Sequence, residues 1–259
     1  MNIVVCIKQV PDTTEVRIDP ATGTLIREGV PSIINPDDKA GLEAALALKG
    51  AVGATVTALS MGPPQAEIAL REALAMGADH AVLISDKRFG GADTWATSIT
   101  LASALRRLGF DLILCGRQAI DGDTAQVGPQ IAEHLGIPQV SYVSEIQKVG
   151  DRLQVKRMFE NGYQRLSVPM PCLLTVLKEM NAPRYMNVGG VFDAFRAEIP
   201  VWTVDDLDVD RAQIGLKGSP TRVKKSYTKG TKSAGKVYEV EPQEGARIIV
   251  EHLREKFII

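Results

Sequence analysis

CGRQAIDGDTAQVGP, residues 115–129, follows the apolar run FDLILC at 110–115 and leads into a segment with helical spacing. A buried strand that ends in a polar, glycine-containing loop and passes directly into a helix is the building unit of nucleotide-binding α/β sheets. The pattern predicts a strand over 110–115 and a helix over 124–134, whose first turn presents unpaired N–H groups and a positive dipole end to an anion. Arg117 adds a charge-assisted fork, and Gly116 and Gly122 permit close backbone approach. An ordinary strand-to-helix turn reads the same way, so the loop alone leaves both possibilities open.

Outward from this loop the chain alternates. Strand candidates recur at 3–7, 54–60, 80–85, 110–115 and 138–143, separated by segments of helical spacing with glycine stops. The first helix is capped by Asn35, starts at Pro36, carries Asp37 and Asp38 in its first turn, and stops at Gly50. Others are expected over 64–76, ending at Gly77, and over 93–108, with Asp93 as cap and Gly109 as stop. This order predicts a doubly wound α/β fold with a mainly parallel, Rossmann-like sheet covered on both faces. Its ligand crevice lies at the carboxyl ends of the strands. There Cys6 and Lys8 end the first strand, Met61 and Gly62 the second, and the 116–127 loop the fourth.

Two departures stand out. Residues 15–27 alternate around PATG and predict an excursion hairpin, and 152–159 with 163–168 form a second one across Asn161-Gly162, leading to an apolar strand at 172–177. The run 221–236 is basic and glycine-containing and cannot build a core. Helical spacing returns over 242–257 with an apolar stripe at Ala246, Ile249, Val250 and Leu253 that wants a partner surface. We therefore expect a sheet domain over 1–220 and an arm over 221–259.

The chain has 259 residues, 45% hydrophobic and 24% charged, with a formal net charge of −1. That balance gives no reason to expect nucleic acid or an anionic membrane as partner, and the apolar start, interrupted at Lys8, is too short for a leader or a span. A cytoplasmic location is the expectation. Cys6, Cys115 and Cys172 lack metal-ligand spacing and read as buried thiols. His80, His134 and His252 lie beside no evident nucleophile in sequence, and no metal or catalytic motif occurs. Such a chain suits a protein that positions a cofactor and leaves the redox chemistry to it.

The run GRQAIDGDTAQVGPQIAEHLG at 116–136 closely resembles the nucleotide loop of electron transfer flavoprotein β subunits. The resemblance extends through VVCIKQVPDTTEVRIDP at 4–20, SIINPDDKAGLEAAL at 32–46, SMGPPQAE at 60–67, ALAMGAD at 73–79 and NAPRY at 181–185. It implies a heterodimer with an α subunit that carries one FAD, and a buried nucleotide in this chain, either FAD or structural AMP. The implied binding residues include Gln118, Ala119, Ile120, Asp121, Asp123, Thr124, Ala125, Gln126 and Val127 of the loop, with Thr94 and Thr97 as hydroxyl donors. Asn35 and Asp38 are helix-start residues and, by the resemblance, adenosine contacts as well. The C-terminal arm is implied to wrap the α subunit; docking on its own domain is the other reading.

The wording of IDPATGTLIREGVPSIINPDD at 18–38, RFGGADTWAT at 88–97 and DGDTAQVGP at 121–129 is similar to the electron-bifurcating branch. That branch implies FAD here, hydride from NADH, one electron to ferredoxin or flavodoxin, and the other through the α-subunit FAD to a flavin dehydrogenase such as an acyl-CoA dehydrogenase. The catalysis belongs to the heterodimer or a larger complex. Gln164 stands where mitochondrial-type subunits carry an acid, so that acid's role does not transfer. The docking loop is implied at Arg184, Tyr185, Val188 and Phe192, with Val188 as apolar anchor on the flexible Gly189-Gly190 backbone, but the family's lysine cluster is missing from 191–196. Alternatives are a non-bifurcating carrier holding AMP and an ATP-binding regulatory module.

Overall fold

The computed structural model describes residues 1–12, 31–224 and 235–259, in two compact units, Met1–Lys224 and Lys225–Ile259. The expected hairpin at 15–27 lies outside the described residues.

In the first unit the strands are β1 (Asn2–Cys6), β2 (Gln9–Pro11), β3 (Ser32–Ile34), β4 (Thr55–Met61), β5 (His80–Ile84), β6 (Leu112–Gly116), β7 (Gln139–Val149), β8 (Arg152–Phe159), β9 (Gly162–Pro169), β10 (Cys172–Val176) and β11 (Val201–Trp202). The helices are α1 (Pro36–Val52), α2 (Glu67–Met76), α3 (Thr94–Leu108), α4 (Val127–Leu135), α5 (Val188–Arg196) and the single turn α6 (Gly215–Gly218). Nine strands form one sheet in the order β11-β5-β4-β1-β6-β10-β7-β8-β9, parallel from β11 to β7 and antiparallel across the β7-β8-β9 excursion. The remaining pair, β2 and β3, is antiparallel.

Alternation along the central strands assigns side chains to two cores. Ile3, Val5, Leu112, Leu114, Leu174 and Val176 pack with Leu42, Leu46 and Leu70 of α1 and α2 on one face. Val4, Ile113 and Leu173 pack with Leu101 and Leu105 of α3 and Ile131 of α4 on the other. The period-2 pattern of buried parallel strands thus places helices on both faces, and the chain is a doubly wound α/β protein.

Several boundaries move. Helix α1 runs through Gly50 to a cap at Gly53, whose φ of 71° is the left-handed conformation that glycine adopts readily. Gly50 lies in open space, and an exposed mid-helix glycine costs only about 1 kcal/mol. The 64–76 segment begins as a 3-10 turn over Pro64–Ala66 before α2. Asp93 caps α3 as expected, accepting the Ala96 N–H at 3.0 Å. Helix α4 starts at Val127 and not at residue 124, because Asp123 and Ala125 both take φ of 53°, which a right-handed helix excludes.

The structure adds α5, which the periodicity reading does not predict. It lies against α2 because Gly190 admits close contact: a Cβ there would come within 2.5 Å of the Ala75 carbonyl oxygen. Arg71 of α2 holds the other end, donating to the carbonyls of Ala194 at 2.5 Å and Phe195 at 3.2 Å. Gly190 therefore serves packing, which corrects its reading as an adjustable docking backbone.

The second unit carries α7 (Pro242–Glu255). Its polar face is laced by Arg247 pairs to Glu244 and Glu251, and Ile249 and Val250 on the apolar stripe are exposed, as are Phe257, Ile258 and Ile259 beyond it.

Candidate functional site

The strand order reverses direction at β1. From β1 the chain moves to β4 and β5 on one side, then crosses to β6 on the other. In an open parallel sheet the crevice outside the carboxyl ends at such a reversal is the favoured ligand site. Here it is bordered by the segments that leave β1 at Lys8 and β6 at Gly116.

Three residues at the start of α1 organise these segments. Asp38 accepts the Lys8 N–H at 2.8 Å on one carboxylate oxygen and the Gly116 N–H at 2.9 Å on the other. Asn35 donates to the Gln118 carbonyl at 2.9 Å and accepts the Ile120 N–H at 3.1 Å. Asp37 accepts the Lys178 N–H at 3.2 Å and lies 3.5 Å from the Arg117 Nε. Asn35 occupies the cap position of α1 but makes no side-chain cap bond, since its amide is used by the loop. Gly116 is likewise required by packing: a Cβ would sit 2.2 Å from Asp38 Oδ1. Its close approach is to Asp38, whereas Gly122 faces open space.

Burial pushes the Asp38 carboxyl up to about 7, against the pull of its Lys8, Asn35 and Gly116 hydrogen bonds. Burial also raises Asp37, with the Arg117 charge acting in the opposite direction.

Beyond this clamp the loop turns outward. Lys8 Nζ pairs with Asp121 at 2.6 Å, so its charge meets a carboxylate within the protein. The Gln118 amide donates to Asp123, while Gly122 and Asp123 close a turn on the Ala119 carbonyl. The backbone N–H groups of Thr124, Ala125, Gln126 and Val127 find no acceptor among the described residues. Left-handed conformations at Asp123 and Ala125, alternating with other conformations, are the kind of backbone that gathers N–H groups into an anion-binding nest. Thr124 is exposed. Arg117 contributes a guanidinium whose buried Nε makes no hydrogen bond. A diphosphate fits this set of donors.

The other predicted residues take different places. Thr94 donates to Gln126 Oε1 at 2.9 Å, linking the start of α3 to the loop, and Thr97 is half-buried one turn further on. Cys6 and Met61 are half-buried against the α3 and α4 core, and Gly62 donates its N–H to the Ile84 carbonyl. Arg184 pairs with Glu43 at 2.8 Å, while Tyr185 is 96%, Val188 76% and Phe192 62% exposed. Val188 is a surface residue at the first position of α5.

Contrary to the sequence expectation, one histidine does meet a serine: His134 Nε2 lies 3.1 Å from Ser98 Oγ. Ser98 is wholly buried and donates to the Trp95 carbonyl, so its proton is not presented to the ring as a nucleophile's would be. Burial and the Arg106 charge lower the His134 pKa, and Trp95 packs edge-on at 4.8 Å, which makes this a structural contact. Among the described residues, no cluster of metal-ligating side chains occurs, and no helix is long and apolar enough to cross a membrane.

Residues 22–207 match the electron transfer flavoprotein domain family. Across its whole length the chain is 61% identical to the full electron transfer flavoprotein subunit beta of Clostridium acetobutylicum. The chain belongs to the electron transfer flavoprotein β-subunit family. It is also 53% identical to the caffeyl-CoA reductase-Etf complex subunit CarD of Acetobacterium woodii, and 48% to the acryloyl-CoA reductase electron transfer subunit gamma of Anaerotignum propionicum, both matches covering all of each chain. Such β subunits pair with α subunits and associate in general with flavin or AMP, which displaces the reading as a free-standing ATP-binding regulatory module.

Sequence reasoning missed Asp37 as a member of the site. Its signal was present in the doubled acid of Asn35-Pro36-Asp37-Asp38, but two acids in a first helical turn read as dipole partners. Only the crossing of β6 beside α1 converts them into loop anchors.

Proposed function

We propose that this chain is the β subunit of a heterodimeric, electron-bifurcating flavoprotein, with FAD in the crevice between β1 and β6 and NADH as hydride donor. The observation that carries the reading is full-length identity of 53% and 48% to relatives whose names place them in caffeyl-CoA and acryloyl-CoA reductase systems. When bound, FAD supplies the hydride acceptance and single-electron delivery that side chains cannot perform.

The residues of the chain bind and orient. The N–H groups of residues 124–127 and the Arg117 guanidinium receive the diphosphate, in a setting where charge-assisted bonds are the stronger kind. Thr94, through Gln126, and Thr97 border the loop from α3. Asn35 and Asp38 act mainly by holding the loop and would border the adenosine side of a bound nucleotide; Cys6, Met61 and Gly62 would form the floor at the strand ends. In this reading the electron acceptors would be ferredoxin or flavodoxin and, by way of the α subunit, a flavin-dependent dehydrogenase such as an acyl-CoA dehydrogenase. The exposed apolar residues of α5 and Tyr185 dock that dehydrogenase, and the arm from 221 onward, with α7, binds the α subunit.

Flavin counting on the purified heterodimer tests this reading. Two FAD per heterodimer and bleaching by NADH in stopped-flow absorbance are expected. One FAD with AMP assigns the chain to the non-bifurcating carriers, and two flavins unreactive with both NADH and NADPH remove the bifurcating assignment.

A further inference from the structure

Cys6 and Cys115 are 109 positions apart in sequence, yet Cys6 ends β1 and Cys115 is the last residue but one of β6, the two strands that flank the crevice. The parallel register of β1 and β6 pairs Val4 with Ile113 and Val5 with Leu114, so the next step sets Cys6 opposite Cys115. Both side chains belong to the same face, with Cys115 buried in the α3 and α4 core and Cys6 half-buried against it. Neighbouring strands lie about 4.8 Å apart, inside the Cα separation that disulfides span. Cys172 starts β10 opposite Leu112 and packs in the core on the other face, where neither thiol reaches it. The neighbouring Cys6 and burial together hold the Cys115 thiol well above its ordinary range.

We propose that Cys6 and Cys115 form an oxidisable dithiol, which a peroxide converts to a disulfide that ties the carboxyl end of β1 to that of β6. The half-buried Cys6 is the entry point. Its thiolate attacks one peroxide oxygen, the O–O bond breaks, and the departing hydroxide takes up a proton as water, leaving Cys6 as the sulfenic acid. The Cys115 sulfur then attacks the Cys6 sulfur, the S–O bond breaks, and the second oxygen leaves as water with the Cys115 proton. The two thiols lose two electrons and two protons in total, and one peroxide becomes two waters. The link sits directly beneath the Asp38 clamp on Lys8 and Gly116, so it joins the roots of the two segments that border the crevice.

Peptide mapping reads this directly. The purified full-length protein, with the subunits it carries, is treated with hydrogen peroxide in native buffer, alkylated, and digested with trypsin without reduction. The expected product joins the peptide of residues 1–8 to that of residues 108–117, with a mass two hydrogens below their sum, and disappears on treatment with dithiothreitol. It persists in Cys172→Ser and is lost in Cys6→Ser and Cys115→Ser. The wild-type map decides the matter even if a variant does not fold. Cys6 carried to the sulfinic or sulfonic acid with Cys115 still a free thiol would overturn the proposal, as would recovery of both as free thiols.

Discussion

Asp38 holds Gly116 through one hydrogen bond of 2.9 Å, at a spacing that leaves no room for a side chain on residue 116. The same carboxylate holds Lys8, so the two segments leaving β1 and β6 share a single buried anchor. An ionised carboxylate in that position is costly, which is why its pKa lies near 7.

A pH dependence follows. Asp38 titrates near 3.8 in the unfolded chain and about 7 in the folded one, so folding favours its protonated form. That contribution is full below pH 3.8 and lost as pH rises through 7. Asp38→Asn mimics the neutral acid and should gain about 2–3 kcal/mol relative to wild type between pH 5 and pH 8, at about 1.36 kcal/mol per pH unit. Urea unfolding at both pH values checks it; parallel profiles for the two proteins would show that Asp38 does not titrate in this window.

Arg117→Ala should weaken nucleotide retention about tenfold to a hundredfold, because a charge-assisted contact contributes roughly 1.5–3 kcal/mol. Thr124→Val should do less, since backbone donors remain. Nucleotide release rates measure both. An unchanged rate in the arginine variant would leave Arg117 with only its contact to Asp37.

The two glycines of α5 should behave differently. A methyl group on Gly190 meets the Ala75 carbonyl at 2.5 Å, whereas one on Gly189 has its nearest neighbour at 3.4 Å. Gly190→Ala should therefore cost about 1–3 kcal/mol by overpacking and Gly189→Ala little. Equal thermal midpoints for the two variants would contradict the packing role.

Val188→Asp should slow electron delivery to the dehydrogenase with stability and NADH reduction nearly unchanged, because Val188 is 76% exposed on α5. Stopped-flow traces with and without the dehydrogenase separate the two steps. If neither step changes, docking lies elsewhere.

Truncation after Lys224 should leave the first unit folded and reduce α-subunit association. The cut belongs there because Thr221 is tied to Asp93 at 2.7 and 2.9 Å within the sheet unit. Unchanged association by size-exclusion chromatography would remove the arm from the interface.

Strands β1 and β4 to β10, their alternation with helices and the Asp93 cap were legible in the sequence, since each rests on local periodicity or on backbone chemistry confined to a few residues; the short strands β2, β3 and β11 were not, and the turn expected across Asn161-Gly162 falls one residue earlier, at 160–161. The polar, glycine-containing loop that follows β6 was legible too, although an ordinary strand-to-helix turn has the same composition. Other features are decided only by the tertiary structure. The start of α4 at Val127 follows from backbone conformations at Asp123 and Ala125 that neither residue type announces. Helix α5 is held by Arg71 and by a missing side chain at Gly190, more than a hundred residues from its partner helix. Asn35, Asp37 and Asp38 resemble cap and dipole residues until β6 passes beside them, and Cys6 and Cys115 become a pair only through strand register. A residue's neighbours along the chain set its propensity, but its partner across the sheet is set by which strands lie side by side.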